Sequence, residues 1–195
     1  MTHWAYWLTI ICWGTFCLVW GIGWIYNLLK APATQKRSTF LPAWIICIVV
    51  IVLITKFIPH SVWKFVTFDI SWLQIVGAVC FIIFTGFTLW ARWALGTMWS
   101  SSPEIKVGHQ LRTDGPYGIT RHPIYTGLIG MFLGTLLISE VGAWILYFPI
   151  VVVALIIKVS SEERLLKETF GEEYIQYQQR VPQLVPGLKL LTRHQ

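Results

Sequence analysis

Long apolar runs without acidic residues dominate the chain up to its charged tail. A helix needs about 20 mainly apolar residues to cross a bilayer. Five runs approach that length, and only two polar residues separate the last two runs, which predicts a tight helical hairpin. The predicted spans are Trp4–Leu29, Leu41–Ile58, Ile70–Leu89, Ile124–Ile138 and Val141–Ile157. The pattern predicts an all-α integral membrane protein that consists of one domain, residues 1–195.

The composition favours a bilayer over a soluble core as the surroundings of these runs. Of the 195 residues, 55% are hydrophobic and 12% are charged, whereas soluble domains carry about 25% charged residues. The formal net charge is +6, but the basic residues flank the apolar runs. An anionic lipid surface is therefore a better partner than nucleic acid. The four cysteines lie inside apolar runs without a CxxC pair, and we interpret them as small buried residues.

The distribution of Lys and Arg predicts the orientation of the chain. Cytoplasmic loops of membrane proteins carry an excess of these residues. Of the 15 Lys and Arg residues, only two belong to the opposite side: Lys56, near the end of the second span, and Lys64, between the second and third spans. The others lie between spans one and two, between spans three and four, or after span five. We therefore expect a non-cytoplasmic N-terminus, with the loop 92–123 and the C-terminal tail on the cytoplasmic side.

The first candidate for chemistry is a Gly-rich segment that ends where the fourth span begins. Its glycines allow tight bends and leave backbone N–H groups open to a ligand. Arg121 and His122 stand directly before Pro123, which suits the first turn of a helix. A helix N-terminus favours anions, so these two side chains are candidate ligands of a charged group. On this pattern alone, an interfacial loop with a snorkelling arginine is the alternative.

The second candidate is the charged segment that follows the fifth span. Ser160 and Glu163 have the spacing of a capping box. Five apolar residues beyond them step by three or four positions, as one face of a helix does, with Gly171 as a candidate break. These residues are Leu166, Phe170, Tyr174, Tyr177 and Val181. The alternative here is an amphipathic helix that lies on the membrane surface with solvated acids.

Other familiar kinds of site are not indicated by the sequence. The five histidines are scattered and the acids lack ligand spacing, so we expect no metal site. The chain contains no GxSxG, no Walker loop and no GxGxxG. The two charged segments therefore carry the functional interpretation.

Together, the two segments resemble the isoprenylcysteine carboxyl methyltransferase family. Residues 121–127, RHPIYTG, resemble its RHPxYxG motif, and Leu111 with residues 115–117 resembles the approach to that motif. Residues 162–182 resemble its EE…FGEEYxxYxxxVP tail. The resemblance covers about residues 96–187 and is to the short, five-span members of the family.

The resemblance implies S-adenosylmethionine as the methyl donor and a cofactor site within residues 96–187. Two residues are implied to act in catalysis: Arg121 would orient a carboxylate with its planar fork, and Glu163 would be a candidate base for an amine acceptor. The residues implied to line the cofactor pocket are His109, Gln110, Leu111, Gly115, Tyr117, Arg121, His122, Pro123, Tyr125, Glu162 and Glu163.

The acceptor expected from this resemblance is a lipophilic molecule that enters sideways from the bilayer. Carboxyl O-methylation of an isoprenylcysteine-like substrate is the leading expectation, and a phospholipid amine or a thiol is the alternative acceptor. A membrane reductase that uses NADPH is a second alternative, although its Asn-Tyr-x-Gly-Asp element is absent. A non-catalytic assembly subunit is a third. The sequence predicts no oligomeric state.

Overall fold

Helices account for most of the computed structural model, which describes residues 2–37, 43–68, 70–100, 104–108 and 110–187. Two 3₁₀ turns, Lys64–Val66 and Gly96–Met98, extend neighbouring helices. The helices are α1 His3–Lys30, α2 Ala43–Phe57, α3 His60–Trp63, α4 Ser71–Leu95, α5 Pro116–Ile119, α6 Pro123–Ile138, α7 Trp144–Phe170 and α8 Glu172–Arg180, and the strands are β1 Thr34–Arg37 and β2 Glu104–Lys106.

Among the described residues, three helices are long and apolar enough to cross a membrane. They are α1, α4 with the 3₁₀ turn that follows it, and α7. Helix α6 is apolar but has 16 residues, and α2 has 15, whereas a span needs about 20. The predicted helical architecture is confirmed, and the count of five spans stays a prediction.

The outer surface of these long helices is apolar. Leu18 on α1, Ile83 on α4 and Val153 on α7 are each more than half exposed. A continuous apolar surface of this kind is unfavourable in water. Lipid tails are the natural contact for such side chains, which agrees with the apolar spans.

The apolar core lies where α1, α4 and α6 meet. The buried residues of α4 repeat at helical spacing, so that one stripe of the helix faces its neighbours. Phe81 from this stripe packs with Met131 and Ile138 of α6 and with Cys12 of α1. The indole of Trp13 also donates a hydrogen bond to the Thr135 hydroxyl at 3.1 Å, so α1 is joined directly to α6.

Glycines bring α4 and α6 into backbone contact. A methyl group added at Gly134 would lie 2.9 Å from the carbonyl oxygen of Gly77 and 2.7 Å from Cβ of Phe81. One added at Gly130 would lie 2.0 Å from the ring of Phe84. Small residues at a helix crossing allow such close approach, and they are common in membrane bundles. The glycines therefore fix the spacing of the helix pair that carries the candidate site.

The connections gather at two opposite ends of the bundle. At one end, the backbone N–H of Phe68 donates to the Glu140 carbonyl and that of Gly142 donates to Val66. At the other end lie the C-termini of α1, α4 and α7 and the N-terminus of α6. The second end contains both motif segments, so the segments predicted to share one side of the membrane do lie together.

A short pair of antiparallel strands at this second end departs from the all-α prediction. Strands β1 and β2 are antiparallel, and Thr34 lies opposite Lys106. The segment between the first two predicted spans thus pairs with the loop after α4. Periodicity over three or four residues is too short to indicate such a strand, since the pairing partner is distant in the chain.

Helix α7 continues well past the predicted end of the fifth span at Ile157. It runs without interruption to Phe170. The capping box predicted from Ser160 and Glu163 is wrong, because Ser160 lies inside the helix and its hydroxyl donates to the Ile156 carbonyl at 2.9 Å. The break predicted at Gly171 is confirmed: this residue has φ +52° and separates α7 from α8.

We predict that Gly134→Ala destabilises the protein and that Gly86→Ala does not. The new methyl group at position 134 meets backbone atoms of α4 that cannot rotate away, and overpacking of this kind costs about 1–3 kcal/mol. Nothing lies within 4 Å of a methyl group at Gly86, on the same helix pair. Thermal unfolding in detergent measures both variants. Equal melting temperatures for the two would contradict the close helix contact.

Candidate functional site

Arg121 lies at the centre of the candidate site, where the loop before α6 meets α7 and the C-terminal segment. Its Nε donates to Oε1 of Glu163 at 2.8 Å, and its Nη2 lies 2.7 Å from the same oxygen. Its Nη1 donates to the carbonyls of Val181 at 2.7 Å and Gln178 at 3.2 Å. The side chain is 5% exposed. A guanidinium has five N–H groups, and these contacts use four of them. The Tyr174 hydroxyl lies close enough to the guanidinium to interact with it.

Backbone hydrogen bonds hold the segment after α8 against the same loop. The N–H of Arg121 donates to the Pro182 carbonyl at 2.9 Å, and that of His122 donates to the Gln183 carbonyl at 3.2 Å. The Thr126 hydroxyl donates to the Leu184 carbonyl at 2.6 Å. The tail is therefore attached to the first turn of α6 through both backbone and side-chain groups.

The adjacent acids Glu162 and Glu163 have different partners. Glu163 binds Arg121 through one oxygen, and its other oxygen accepts a hydrogen bond from Nε2 of Gln178 at 3.0 Å. Glu162 accepts a short hydrogen bond from the Tyr125 hydroxyl. Successive helix residues point about 100° apart. Glu163 can therefore pair with Arg121, a contact that we call the clamp, while Glu162 lines the neighbouring cavity.

The ring of His122 bridges the two acids. Its Nε2 lies 3.3 Å from Oε1 of Glu163, and its Nδ1 lies 3.6 Å from Oε2 of Glu162. Burial lowers the pKa of His122, but its hydrogen bonds to Glu162 and Glu163 outweigh this effect, so its pKa is raised above the usual 6.5. The imidazolium form is favoured because both ring nitrogens can then donate.

A cavity opens beside this cluster. Its empty volume is about 830 Å³ with the open mouth included. The apolar part of the wall comes from the end of α4, from β2 and from α7, and includes Leu95, Ile105 and Leu165. Most of the polar part comes from the two motif segments, and Ser100 and Glu104 add to it.

Four tyrosines line the cavity, namely Tyr117, Tyr125, Tyr174 and Tyr177, and one of them has an unsatisfied hydroxyl. The Tyr177 hydroxyl donates to the backbone carbonyl of Tyr117 at 2.6 Å. The Tyr174 side chain is fully buried, yet its hydroxyl has no hydrogen-bond partner. Burial raises the pKa of all four phenols, so each remains a neutral donor at physiological pH. An unpaired buried hydroxyl costs about 1–3 kcal/mol, which makes Tyr174 a candidate ligand contact.

Most of the predicted pocket residues do line this cavity. They are Leu111, Tyr117, Arg121, His122, Pro123, Tyr125 and Glu162. Three other predicted residues are not part of its wall. Glu163 lies behind Arg121, Gln110 is exposed, and Gly115 forms the turn into α5 with φ +55°. His109 lies outside the described residues.

Several wall residues were not among the predicted site residues. Tyr174 belongs to the apolar stripe, which the sequence indicated only as a packing face, although the stripe does pack together in one cluster. Arg112 lines the mouth and is half exposed. Trp99, Met98 and Ile105 follow α4, where no sequence motif singles them out. A Tyr among apolar stripe positions is the signal that could have indicated Tyr174, since its hydroxyl needs a partner when buried.

Comparison with known proteins places this geometry in a family. The phospholipid methyltransferase family matches residues 72–173, just over half of the chain. Protein-S-isoprenylcysteine O-methyltransferase B of Arabidopsis thaliana is 40% identical over 81 residues, which are 40% of each protein. Methanethiol S-methyltransferase of Pseudomonas deceptionensis is 29% identical over 168 residues, 81% of this chain and 62% of that protein.

A solved structure supports the same grouping. The eukaryotic intramembrane Ras methyltransferase, an isoprenylcysteine carboxyl methyltransferase, matches with a TM-score of 0.54 and 26% identity over 75% of this chain and 52% of that one. The chain spans less than two thirds of the length of these relatives. The family match, the shared fold and the two motifs agree, and the chain therefore belongs to the phospholipid methyltransferase family as a member similar to the isoprenylcysteine carboxyl methyltransferases.

Proposed function

We propose that the protein is a membrane-embedded methyltransferase that uses S-adenosylmethionine and methylates the carboxylate of an isoprenylcysteine-like lipophilic acceptor. The observation that carries the proposal is the cavity, because both motif segments line it and a buried hydroxyl without a partner lies in its wall. The names of the relatives support methyl transfer. Their substrates differ, so the acceptor is the finer part of the proposal.

The residues of the cavity fit an adenosyl sulfonium compound. Glu162 keeps free lone pairs after accepting from Tyr125, so it can accept from an ammonium or from ribose hydroxyls. The Tyr174 hydroxyl can bond a further polar atom. Aromatic rings such as that of Tyr117 attract a cationic sulfur. Arg112 at the mouth offers a fork for a carboxylate.

Bound S-adenosylmethionine would supply an electrophilic methyl group. The chain would position the two reactants and exclude water from them, because apolar side chains such as Leu165 line the cavity beside the polar cluster. A carboxylate acceptor is already ionised near neutral pH and requires no base. This matters because Glu163, the predicted base, is engaged by Arg121 and Gln178. We therefore favour a carboxylate over an amine acceptor.

The same geometry suggests a different role for Arg121 from the one predicted. Its guanidinium is almost fully engaged by Glu163 and by backbone carbonyls. We propose that Arg121 mainly positions the wall of the site and that at most one N–H is available to a ligand. Glu163 then acts as the counter-ion of this positioning residue.

We also propose that the site faces the cytoplasm and that the acceptor enters from the bilayer. The segments rich in Lys and Arg share the end of the bundle that carries the cavity, in the arrangement expected for a cytoplasmic face. Apolar wall residues such as Leu95 and Leu165 suit a lipophilic molecule. We expect membrane lipids to contact the protein around the site.

A thiol acceptor is the second candidate. The relative with methanethiol in its name aligns over 81% of this chain, farther than the isoprenylcysteine relatives do. A thiol must lose its proton before it attacks. Incubation of the purified protein with methyl-labelled S-adenosylmethionine and either methanethiol or N-acetyl-S-farnesylcysteine separates these acceptors.

The cofactor proposal predicts tight binding of S-adenosylhomocysteine and no binding of NADPH. Calorimetry on the detergent-purified protein measures both. Tyr174→Phe is expected to weaken S-adenosylhomocysteine binding about tenfold, since one buried hydrogen bond contributes about 0.5–1.5 kcal/mol. Tyr26→Phe, at an exposed position of α1, is the matched control. Binding of NADPH alone would move the protein to the reductase class, and binding of neither would favour a non-catalytic subunit.

The proposed role of Arg121 predicts a large loss of stability in Arg121→Ala. Removal of one partner leaves the other buried and charged, which costs about 3–5 kcal/mol. The double variant Arg121→Ala with Glu163→Ala should lose less than the sum of the single losses, because neither charge is left alone. Arg112→Ala removes an exposed arginine and should change stability little. Additive losses, measured by thermal unfolding, would argue against the clamp.

The His122 environment predicts a specific dependence of stability on pH. The pKa of His122 is raised in the folded state, so its contribution is complete below about pH 6.5, the ordinary value, and is lost as pH rises through the raised folded value. The difference in melting temperature between wild type and His122→Gln should therefore be largest at low pH and should decrease as the pH increases. A difference that grows with increasing pH would show that the ring is held in its neutral form.

A further inference from the structure

Two buried cations lie beside the cavity without forming an ion pair. Arg92 and Lys106 are 5% and 4% exposed, and no acid of the described residues forms a salt bridge with either. Nε of Arg92 is buried without a partner, and its guanidinium lies 4.6 Å from the ring of Trp99. Buried charges without a counter-ion are unfavourable. The arrangement would therefore gain stability from an anion.

Lys106 retains capacity for such an anion. Its ammonium donates to the carbonyls of Thr97 at 2.6 Å and Trp99 at 2.7 Å, which uses two of its three N–H groups. Burial lowers the pKa of Lys106, the charge of Glu104 opposes this effect, and the charge of Arg92 reinforces it. Glu104 alone does not offset two positive charges.

Lys106 also lines a second cavity, which we call the α1 cleft. This cleft has an empty volume of about 710 Å³ and lies between the last turns of α1 and the two strands. Its polar wall includes Lys106 and Asn27, and its apolar wall includes Trp24 and Leu28. Such a division suits an amphiphile, with a charged head at the strands and a chain along α1.

The α1 cleft adjoins the proposed cofactor cavity. Trp99, Ser100 and Glu104 line both spaces. The two spaces therefore share these three residues as a common border. Cofactor and acceptor must occupy adjoining spaces if a methyl group is to pass directly between them.

We propose that the α1 cleft binds the acceptor, that the acceptor is an anionic amphiphile, and that Lys106, supported by the charge of Arg92, selects its carboxylate. The proposal rests on the proposed methyl transfer. In that step a carboxylate oxygen forms a bond to the methyl carbon as the carbon–sulfur bond breaks, and the electron pair stays on sulfur. No proton moves, and the product is a neutral ester that has lost its attraction to Lys106.

The test uses the cross-strand partner of Lys106. Thr34 lies opposite Lys106, next to a register shift between Thr34 and Lys36, and it is an exposed residue of the cleft wall. Thr34→Glu should neutralise Lys106 without disturbing a buried group, and Thr34→Gln is the isosteric control. The probes are N-acetyl-S-farnesylcysteine and its carboxamide, whose binding to the full chain is measured in detergent.

We expect wild type and Thr34→Gln to bind the carboxylate at least about tenfold more tightly than the carboxamide, as a hydrogen bond between charged groups implies. Thr34→Glu should lose this preference, and its affinity for the carboxamide should match that of Thr34→Gln, which places a side chain of the same size in the wall of the cleft. Lys106→Gln should lose the preference and Lys106→Arg should retain it. Lys30→Gln, an exposed position at the end of α1, controls for the general positive charge of this end.

Two results would overturn the proposal. One is a carboxylate preference that survives in both Thr34→Glu and Lys106→Gln. The other is a wild type in which the two probes do not compete with each other while phosphatidylglycerol binds saturably. That result would make the cleft a structural lipid site. Binding of S-adenosylhomocysteine is measured in parallel. If it fails while the preference for the carboxylate depends on Lys106, the anion site stands and the methyl-transfer proposal falls.

Discussion

The buried pair between Arg121 and Glu163 joins three parts of the chain that are far apart in sequence. The loop before α6 supplies the arginine, α7 supplies the acid, and the backbone near Val181 accepts the remaining arginine donors. A long arginine with several donors in a fixed fork can make all of these contacts at once. Without this pair, the tail would be held over the cavity by the apolar cluster around Tyr174 and Tyr177, by backbone hydrogen bonds and by the hydroxyl of Thr126.

Charge balance distinguishes the two sides of the site. Around the clamp, Arg121 and His122 face Glu162 and Glu163, and Lys158 lies near Glu162. Beside the α1 cleft, no acid of the described residues forms a salt bridge with Arg92 or Lys106. The low dielectric of a buried site makes a charge without a counter-ion costly. The anion proposed for the cleft would relieve this cost.

The sequence predicted most of the helices and the two segments that form the site. The apolar runs located α1, α4 and α6 because hydrophobic length and periodicity depend on local sequence. The motif resemblance brought together Arg121, Glu162 and Tyr125. What it missed depends on contacts between distant segments, such as the strands β1 and β2 and the unpaired hydroxyl of Tyr174. The roles proposed for Arg121 and Glu163 differ from the expected ones, because a motif identifies residue types but does not show which donors are already engaged.

The glycine contacts between α4 and α6 link these features to the rest of the bundle. Arg92 and the segment that carries Trp99 extend from the C-terminal end of α4, while Arg121 and His122 precede the N-terminal end of α6. A methyl group added at Gly134 would meet the Gly77 carbonyl, so the two helices are in close backbone contact. Trp99 and Ser100, which border both cavities, follow the end of α4. The distance between these border residues and the segment of Arg121 is therefore set by backbone packing deep in the bundle.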